Sequence, residues 1–269
     1  MARYFSLMRA GNCALASAGV FAGHTIVSKS IALSPQLLLG MACAFVITAA
    51  GNIINDYFDT GIDERLGRKK LGGEKERANA LLLSAIMFVA GIGAAYLINR
   101  QAFAIAAIVS ALLILYSGVM QNFKFLGNYV VALGTALTLV FGAAIAQEYY
   151  GIVLIAGSAF FANAAREIIK DMGDVEGDRG IKLTLPMIAS FAGIKKIVLF
   201  AYIGAVSFGI IALTGGILAG GAYLALLAIA AALFLHSFLL LSGREFASSQ
   251  KFAKIGMAAA LLSFIAGAL

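Results

Sequence analysis

A run of 47 residues, 197–243, contains no charged side chain. As one helix this run would be roughly 70 Å long, more than twice the hydrocarbon thickness of a bilayer. It therefore predicts two membrane spans, with the turn between them near residues 214–216 or 220–221, where glycines cluster.

Charge-free runs of span length recur along the whole chain. The chain is 62% hydrophobic and only 12% charged, which excludes an ordinary soluble globular domain. We predict an all-α polytopic membrane protein, one domain over residues 1–269, with nine transmembrane helices. The predicted spans are 10–28, 31–55, 78–99, 101–123, 125–147, 149–165, two within 197–243, and a ninth at 255–269 that residues 252 and 253 extend.

The positive charges are distributed very unequally between the two sides of this layout. With nine spans, 18 of the 20 Lys and Arg residues fall on the side of the N-terminus, and only Lys29 and Arg100 fall on the other. This asymmetry predicts a cytoplasmic N-terminus, an external C-terminus and a location in the cell membrane. No small-residue cleavage signal precedes the first span, so we expect that span to be retained. The net charge of +7 thus belongs to loops and predicts no nucleic-acid partner.

Two acidic ladders share one spacing. Each has three aspartates at i, i+3 and i+7 at the end of a predicted span, and in a helix this spacing places the side chains along one face. The ladders are Asp56, Asp59 and Asp63, preceded by Asn52 and Asn55, and Asp171, Asp174 and Asp178.

Unpaired carboxylates at a membrane boundary are energetically costly, so their presence there indicates a function. Carboxylate and amide oxygens without Cys or His suit a hard cation such as Mg²⁺, and we expect Cys13 and Cys43 to be packing residues. Cations follow each ladder, as a diphosphate would require. We therefore predict that the ladders face each other and hold Mg²⁺ on a diphosphate. The cations are Arg65, Arg68, Lys69 and Lys70 after the first ladder, and Arg179 and Lys182 after the second.

Both ladders resemble known motifs. N-D-Y-F-D-T-G-I-D at 55–63 resembles the first aspartate motif of the UbiA-type intramembrane prenyltransferases, and K-D-M-G-D-V-E-G-D-R-G-I-K-L-T-L-P at 170–186 resembles the second. Y-S at 116–117 followed by G-N at 127–128, and L-M-R-A-G-N at 7–12, are similar to further family segments. The resemblance covers nearly the whole chain.

The resemblance implies a nine-helix bundle around a central cavity that opens towards the membrane. It implies that Mg²⁺ and an isoprenyl diphosphate bind there, and that loss of pyrophosphate gives an allylic cation, which an acceptor captures. The implied metal ligands are Asn55, Asp56, Asp59, Asp63, Asp171, Asp174 and Asp178. The implied catalytic residues are Asp59, Asp63, Asp171, Asp174 and Tyr116.

Further residues receive roles from the same resemblance. The ring or oxygen of Tyr116 would stabilise the cation, or Tyr116 is an interfacial aromatic anchor. Arg9 and Asn12 would lie near the acceptor, although Asn12 could instead make a helix–helix hydrogen bond. Gln121 stands where many relatives have Lys, and the first motif lacks its usual proline-containing continuation. The expected diphosphate-binding residues are Arg65, Arg68, Lys69, Lys124 and Lys182.

The second motif discriminates between acceptors. It lacks the tyrosine of the D-x-x-Y-A-x-x-D pattern typical of relatives that prenylate 4-hydroxybenzoate, and it resembles the ether-lipid branch of the family. This favours geranylgeranyl transfer to geranylgeranylglyceryl phosphate over an aromatic acceptor of quinone biosynthesis.

Two other classes fit less well. A CDP-alcohol phosphotransferase would need a D-G-x-x-A-R opening that this chain lacks. A cation transporter would place its aspartates near the bilayer midplane. We predict membrane lipids as neighbours and no obligatory protein partner.

Overall fold

The computed structural model describes residues 2–65, 71–119, 124–178 and 183–269. The side chains of Ala2, Arg3, Ile62, Asp63, Arg65, Lys124, Phe125, Gly177 and Asp178 lie outside this description. Within it the chain forms twelve helices: α1 (Ala2–Met8), α2 (Ala10–Ser28), α3 (Pro35–Phe58), α4 (Thr60–Arg65), α5 (Glu74–Tyr96), α6 (Arg100–Gly118), α7 (Lys124–Ala146), α8 (Ile152–Asp178), α9 (Leu185–Ile188), α10 (Phe191–Thr214), α11 (Gly221–Ser242) and α12 (Phe246–Ala268).

Nine of the helices in the described ranges are long and apolar enough to cross a membrane, which confirms the predicted number of spans. They are α2, α3, α5, α6, α7, α8, α10, α11 and α12.

Several helices extend further than the charge-free runs predict. Helix α8 continues to Asp178 instead of ending at residue 165, and α10 begins at Phe191 rather than at residue 197. The predicted limits were wrong because a charged residue does not end a helix. Lys and Arg reach towards water from the last turns of a span, and these turns remain helical.

Polar side chains cap α3, α6 and α10 at their N-termini. Ser34 accepts a hydrogen bond from the backbone N–H of Leu37, with Pro35 at the first helical position of α3. Asn99 accepts from the backbone N–H of Ala102, and its amide also donates to the carbonyl of Ala144 at the end of α7. The cap of α6 therefore also fixes α6 to α7.

Helix contacts form a closed circuit. Helices α2, α3, α5, α6 and α7 surround one hydrophobic cluster, and α8, α10, α11 and α12 form most of a second. The circuit runs from α7 through α8 to α12 and returns from α12 to α2. Helices α2 and α7 pack backbone to backbone at Gly23 and Gly142, where a Cβ atom would collide with the backbone of the other helix.

Candidate active site

Both acidic ladders lie at the same end of the bundle. Successive spans alternate in direction, so the C-terminal ends of α3 and α8 share an end with the N-terminus of α2 and the beginning of α7. A hydrogen bond from Arg9 to Asp56 joins the beginning of α2 to the end of α3, and one from Asn128 to Asp171 joins the beginning of α7 to the end of α8. The described aspartates of both ladders therefore lie at the same end of the bundle as Arg9 and Asn128.

The first ladder does not lie on one uninterrupted helix. Helix α3 ends at Phe58, Asp59 is its C-cap, and a short helix, α4, begins at Thr60. The hydroxyl of Thr60 donates to the carbonyl oxygens of Asp56 and Tyr57 at this junction. The cap therefore divides the ladder at its middle aspartate, with Asp56 in α3 and residue 63 in α4.

Asn55 and Asp59 form a hydrogen-bonded pair at the end of α3. The Asn55 amide donates to Asp59 Oδ2 over 2.7 Å, one helical turn away. Asp59 is only 8% exposed. The structure thus places a nearly buried carboxylate beside a neutral amide. The oxygen atoms of both groups are ligands suited to a hard cation.

Asp56 has a different environment. Its carboxylate is buried and forms an ion pair with Arg9, with Arg9 Nη2 2.7 Å from Asp56 Oδ1. One turn earlier on α3, the Asn52 amide donates to the carbonyl of Met8 over 2.8 Å. Asn12, the other predicted acceptor residue, is exposed in the first turn of α2.

The second ladder lies in the last turns of α8. Asp171 is fully buried and accepts a 2.7 Å hydrogen bond from the amide of Asn128 on α7. Asp174, one turn later, is exposed. The last predicted members of both ladders, Asp63 and Asp178, have side chains outside the described residues.

Tyr116 lies against the beginning of α7. A Cβ atom on Gly127 would collide with the Tyr116 ring, so the ring packs directly on the glycine backbone beside Asn128. Gly118, two residues after Tyr116, faces the Phe58 ring at the end of α3. The last turn of α6 therefore contacts both the end of α3 and the residue that precedes Asn128. This packing gives a physical reason for the tyrosine of the Y-S segment and the glycine of the G-N segment.

Sequence reasoning missed a buried carboxylate on α8. Glu167 is 6% exposed and stands four residues before Asp171, on the same side of the helix. Its Oε1 is 2.8 Å from Arg166 Nη1, and its Oε2 is 3.6 Å from Lys170 Nζ. The signal was present in the sequence, because a residue four positions before Asp171 lies on the helix face that carries the second ladder.

None of the five predicted diphosphate-binding side chains is among those that the structure describes. Arg68, Lys69 and Lys182 lie outside the described residues, as do the side chains of Arg65 and Lys124. Among the side chains that the structure does describe, no three His, Cys, Asp or Glu residues converge as a metal-ligand set. The third aspartate of each ladder, Asp63 or Asp178, is not among these described side chains.

Comparison with known proteins identifies the class of this protein. The UbiA prenyltransferase family profile matches residues 13–265. The chain belongs to the UbiA prenyltransferase family and is a multi-pass membrane enzyme of the prenyltransferase class.

Individual relatives are more specific. The chain is 36% identical over 275 residues to digeranylgeranylglyceryl phosphate synthase of Methanopyrus kandleri, covering all of both chains. It is 35% identical over 292 residues to the protein of the same name from Methanococcoides burtonii, again covering all of both.

Solved structures show the same fold. One from a study of digeranylgeranylglyceryl phosphate synthase in membranes superposes with a TM-score of 0.85 at 30% identity, covering 99% of this chain and 97% of the other. A UbiA homologue from Archaeoglobus fulgidus bound to GPP and Mg²⁺ superposes with a TM-score of 0.67 at 18% identity, covering 97% of this chain and 99% of the other.

Proposed function

We propose that this protein transfers a geranylgeranyl group from its diphosphate to the free hydroxyl of geranylgeranylglyceryl phosphate, in archaeal ether-lipid synthesis. The observation that carries the proposal is the pair of buried carboxylates, Asp59 and Asp171, each hydrogen-bonded by an asparagine at the same end of the bundle. Full-length similarity to digeranylgeranylglyceryl phosphate synthases supports this choice of substrates.

Mg²⁺ is the proposed cofactor. The described donors at the site are carboxylate and amide oxygens, the ligand types that Mg²⁺ prefers, and the Archaeoglobus fulgidus homologue supports the choice. When bound, Mg²⁺ would neutralise the diphosphate oxygens and so promote departure of pyrophosphate. The proposed ligands come from both ladders: Asn55, Asp59, Asp63, Asp171, Asp174 and Asp178.

The reaction follows from this placement. The bond between C1 of the geranylgeranyl group and the diphosphate oxygen breaks, and both electrons leave with pyrophosphate. The acceptor hydroxyl oxygen then bonds to C1 of the allylic cation, and its proton passes to pyrophosphate or to a ladder aspartate. Tyr116, held at the beginning of α7, stabilises the cation with its ring or oxygen.

The charged residues around the ladders have complementary roles in the proposal. Arg65, Arg68, Lys69, Lys124 and Lys182 bind the diphosphate, because cations offset the charge that develops on the leaving group. Arg9, the N-cap of α2, and Asn12, in its first turn, bind the acceptor. The hydrocarbon tails occupy a central cavity that opens towards the membrane.

The proposed orientation places the active site at the cytoplasmic face of the cell membrane. The excess of Lys and Arg on the side of the N-terminus supports it, and both ladders lie at that end of the bundle. The C-terminus then lies outside.

A transfer assay in detergent tests the substrates. Radiolabelled geranylgeranyl diphosphate and Mg²⁺ would be offered with geranylgeranylglyceryl phosphate, 4-hydroxybenzoate and a dihydroxynaphthoate in parallel, with Asp59→Ala as the control. We expect product with the glyceryl phosphate alone, and none from the control. Product only with an aromatic acceptor would overturn the substrate assignment and leave the prenyltransferase class in place.

A further inference from the structure

The structure divides the carboxylates of the first ladder between two environments. Asp56 and Asp59 are three residues apart, so their side chains point about 60° apart around the axis of α3. Asp59 accepts a hydrogen bond from the Asn55 amide, and Asp56 forms an ion pair with the guanidinium of Arg9. The sequence spacing predicted one common role for both residues.

The Arg9 pairing makes Asp56 a poor metal ligand. Asp56 is 1% exposed, and Arg9 Nη2 approaches Asp56 Oδ1 to 2.7 Å, the short distance of a charge-assisted hydrogen bond. A buried carboxylate needs such a partner, and the guanidinium already balances its charge. If Asp56 bound a metal ion instead, its ion pair with Arg9 would be lost.

The backbone at Arg9 is fixed by neighbours on the same face of α3. Arg9 adopts a left-handed conformation with φ 52° at the junction between α1 and α2. The preceding carbonyl, of Met8, accepts hydrogen bonds from the Asn52 amide at 2.8 Å and from Cys13 Sγ at 3.1 Å. Asn52 and Asp56 are one turn apart, so α3 holds both the backbone before Arg9 and the end of its side chain.

Arg9 nonetheless remains accessible. Its side chain is 41% exposed while that of Asp56 is 2% exposed. A guanidinium carries five N–H donors in a planar fork, and the ion pair shown uses Nη2. A guanidinium held in this way can bind a phosphate with little further loss of side-chain freedom.

We propose that Asp56 is a positioning residue rather than a metal ligand: its buried carboxylate holds the Arg9 guanidinium in place to bind the phosphate of the acceptor. This inference rests on the proposed function for the nature of the acceptor. It assigns Asn55 and Asp59 to binding of the diphosphate and its Mg²⁺. Asn52 and Asp56 serve the acceptor indirectly, because they hold Met8 and Arg9 in place.

The test compares Asp56→Asn with Asp59→Asn, a matched change three residues away. Both variants would be assayed for transfer while the concentrations of Mg²⁺ and of acceptor are varied separately. We expect Asp56→Asn to raise the KM for geranylgeranylglyceryl phosphate about tenfold or more and to leave the Mg²⁺ concentration for half-maximal rate unchanged. Asp59→Asn should abolish transfer or raise the Mg²⁺ requirement. A raised Mg²⁺ requirement in Asp56→Asn would overturn the proposal.

A double-mutant cycle tests the coupling to Arg9. Arg9→Gln should raise the acceptor KM as Asp56→Asn does, and the double variant should be no worse than either single change, because both remove the same contact. Arg9→Gln also leaves a buried carboxylate without its guanidinium, so we expect adding Asp56→Asn to restore thermal stability. Effects on KM that multiply in the double variant would contradict the proposal.

Binding without turnover separates this inference from the proposed function. The chain has no Trp, but Cys13 and Cys43 are buried free thiols, so a thiol-reactive fluorescent probe reports thermal unfolding. Geranylgeranyl diphosphate with Mg²⁺ should raise the unfolding temperature of wild type and Asp56→Asn equally, but not that of Asp59→Asn. Loss of this shift in Asp56→Asn would overturn the positioning role. If wild type used only an aromatic acceptor, the proposed function would fail while this comparison still distinguished the two aspartates.

Discussion

Asn128 on α7 donates a 2.7 Å hydrogen bond to Asp171 on α8, and both side chains are buried. The contact joins two helices that the family motifs treat as separate segments. It holds the carboxylate of the second ladder in one orientation at the end of the bundle where the first ladder also lies.

Removing the amide should therefore affect both stability and catalysis. We expect Asn128→Ala to cost about 1–3 kcal/mol of stability, because a buried charged acceptor loses a donor. Transfer should fall by roughly a hundredfold, since a small displacement of a catalytic group has that effect. Thermal unfolding and the transfer assay would measure the two changes.

Asn163→Ala is the matched control for that variant. The Asn163 amide joins the same two helices through a 2.8 Å hydrogen bond to Thr135 Oγ1, and it stands eight residues before Asp171. It should cost stability and leave the transfer rate unchanged. Equal losses of activity in both variants would show that Asn128 acts only by joining the helices.

Gly127→Ala should impair catalysis through Tyr116. The added methyl group would collide with the Tyr116 ring, which must then move away from the beginning of α7. We expect kcat to fall by about tenfold to a hundredfold with the fold intact. Gly134→Ala on the same helix is the control, because its Cβ meets no atom within 4 Å. An unchanged kcat in Gly127→Ala would mean that the position of Tyr116 is not important for transfer.

Gly142→Ala should impair the fold instead. Its Cβ would enter the space of the Val20 carbonyl and the His24 backbone nitrogen on α2, and backbone atoms cannot rotate aside. We expect a loss of about 1–3 kcal/mol, as for other overpacked sites, measured by thermal unfolding against Gly134→Ala. Unfolding temperatures that match between the two variants would show that α2 and α7 can separate without cost.

The orientation can be tested with single cysteines. Thr214→Cys lies at the end of α10, Glu245→Cys lies at the other end of the bundle, and both positions are exposed. The native Cys13 and Cys43 are buried and should not react in the folded protein. An impermeant maleimide should label Thr214→Cys on intact cells, and Glu245→Cys only after the membrane is opened. The reverse pattern would place the ladders outside.

The sequence was sufficient for the parts of the fold that depend on composition. Charge-free length predicted nine spans, and the structure has nine candidate spans within its described ranges. The same rule failed at helix ends, where α8 continues through the second ladder and α10 includes Lys195 and Lys196. Periodicity also missed the interruption at Asp59, because a C-cap with helical φ and ψ leaves the residue spacing unchanged.

The site was predictable only as far as local spacing allows. The ladders were visible because their members lie within eight residues of one another on the chain. The partner of Asp56 is 47 residues away and that of Asp171 is 43 residues away. No helical period connects such positions, so the sequence could not show which aspartates are held by Arg9 and Asn128.

The most direct test of the account is whether both ladders bind one prenyl diphosphate through Mg²⁺. Binding of geranylgeranyl diphosphate in the absence of acceptor would be measured with Mg²⁺ and with EDTA, in wild type, Asp59→Asn and Asp171→Asn. We predict Mg²⁺-dependent binding in wild type and its loss in each variant. Binding that persists in EDTA, or that survives either substitution, would contradict a shared metal site.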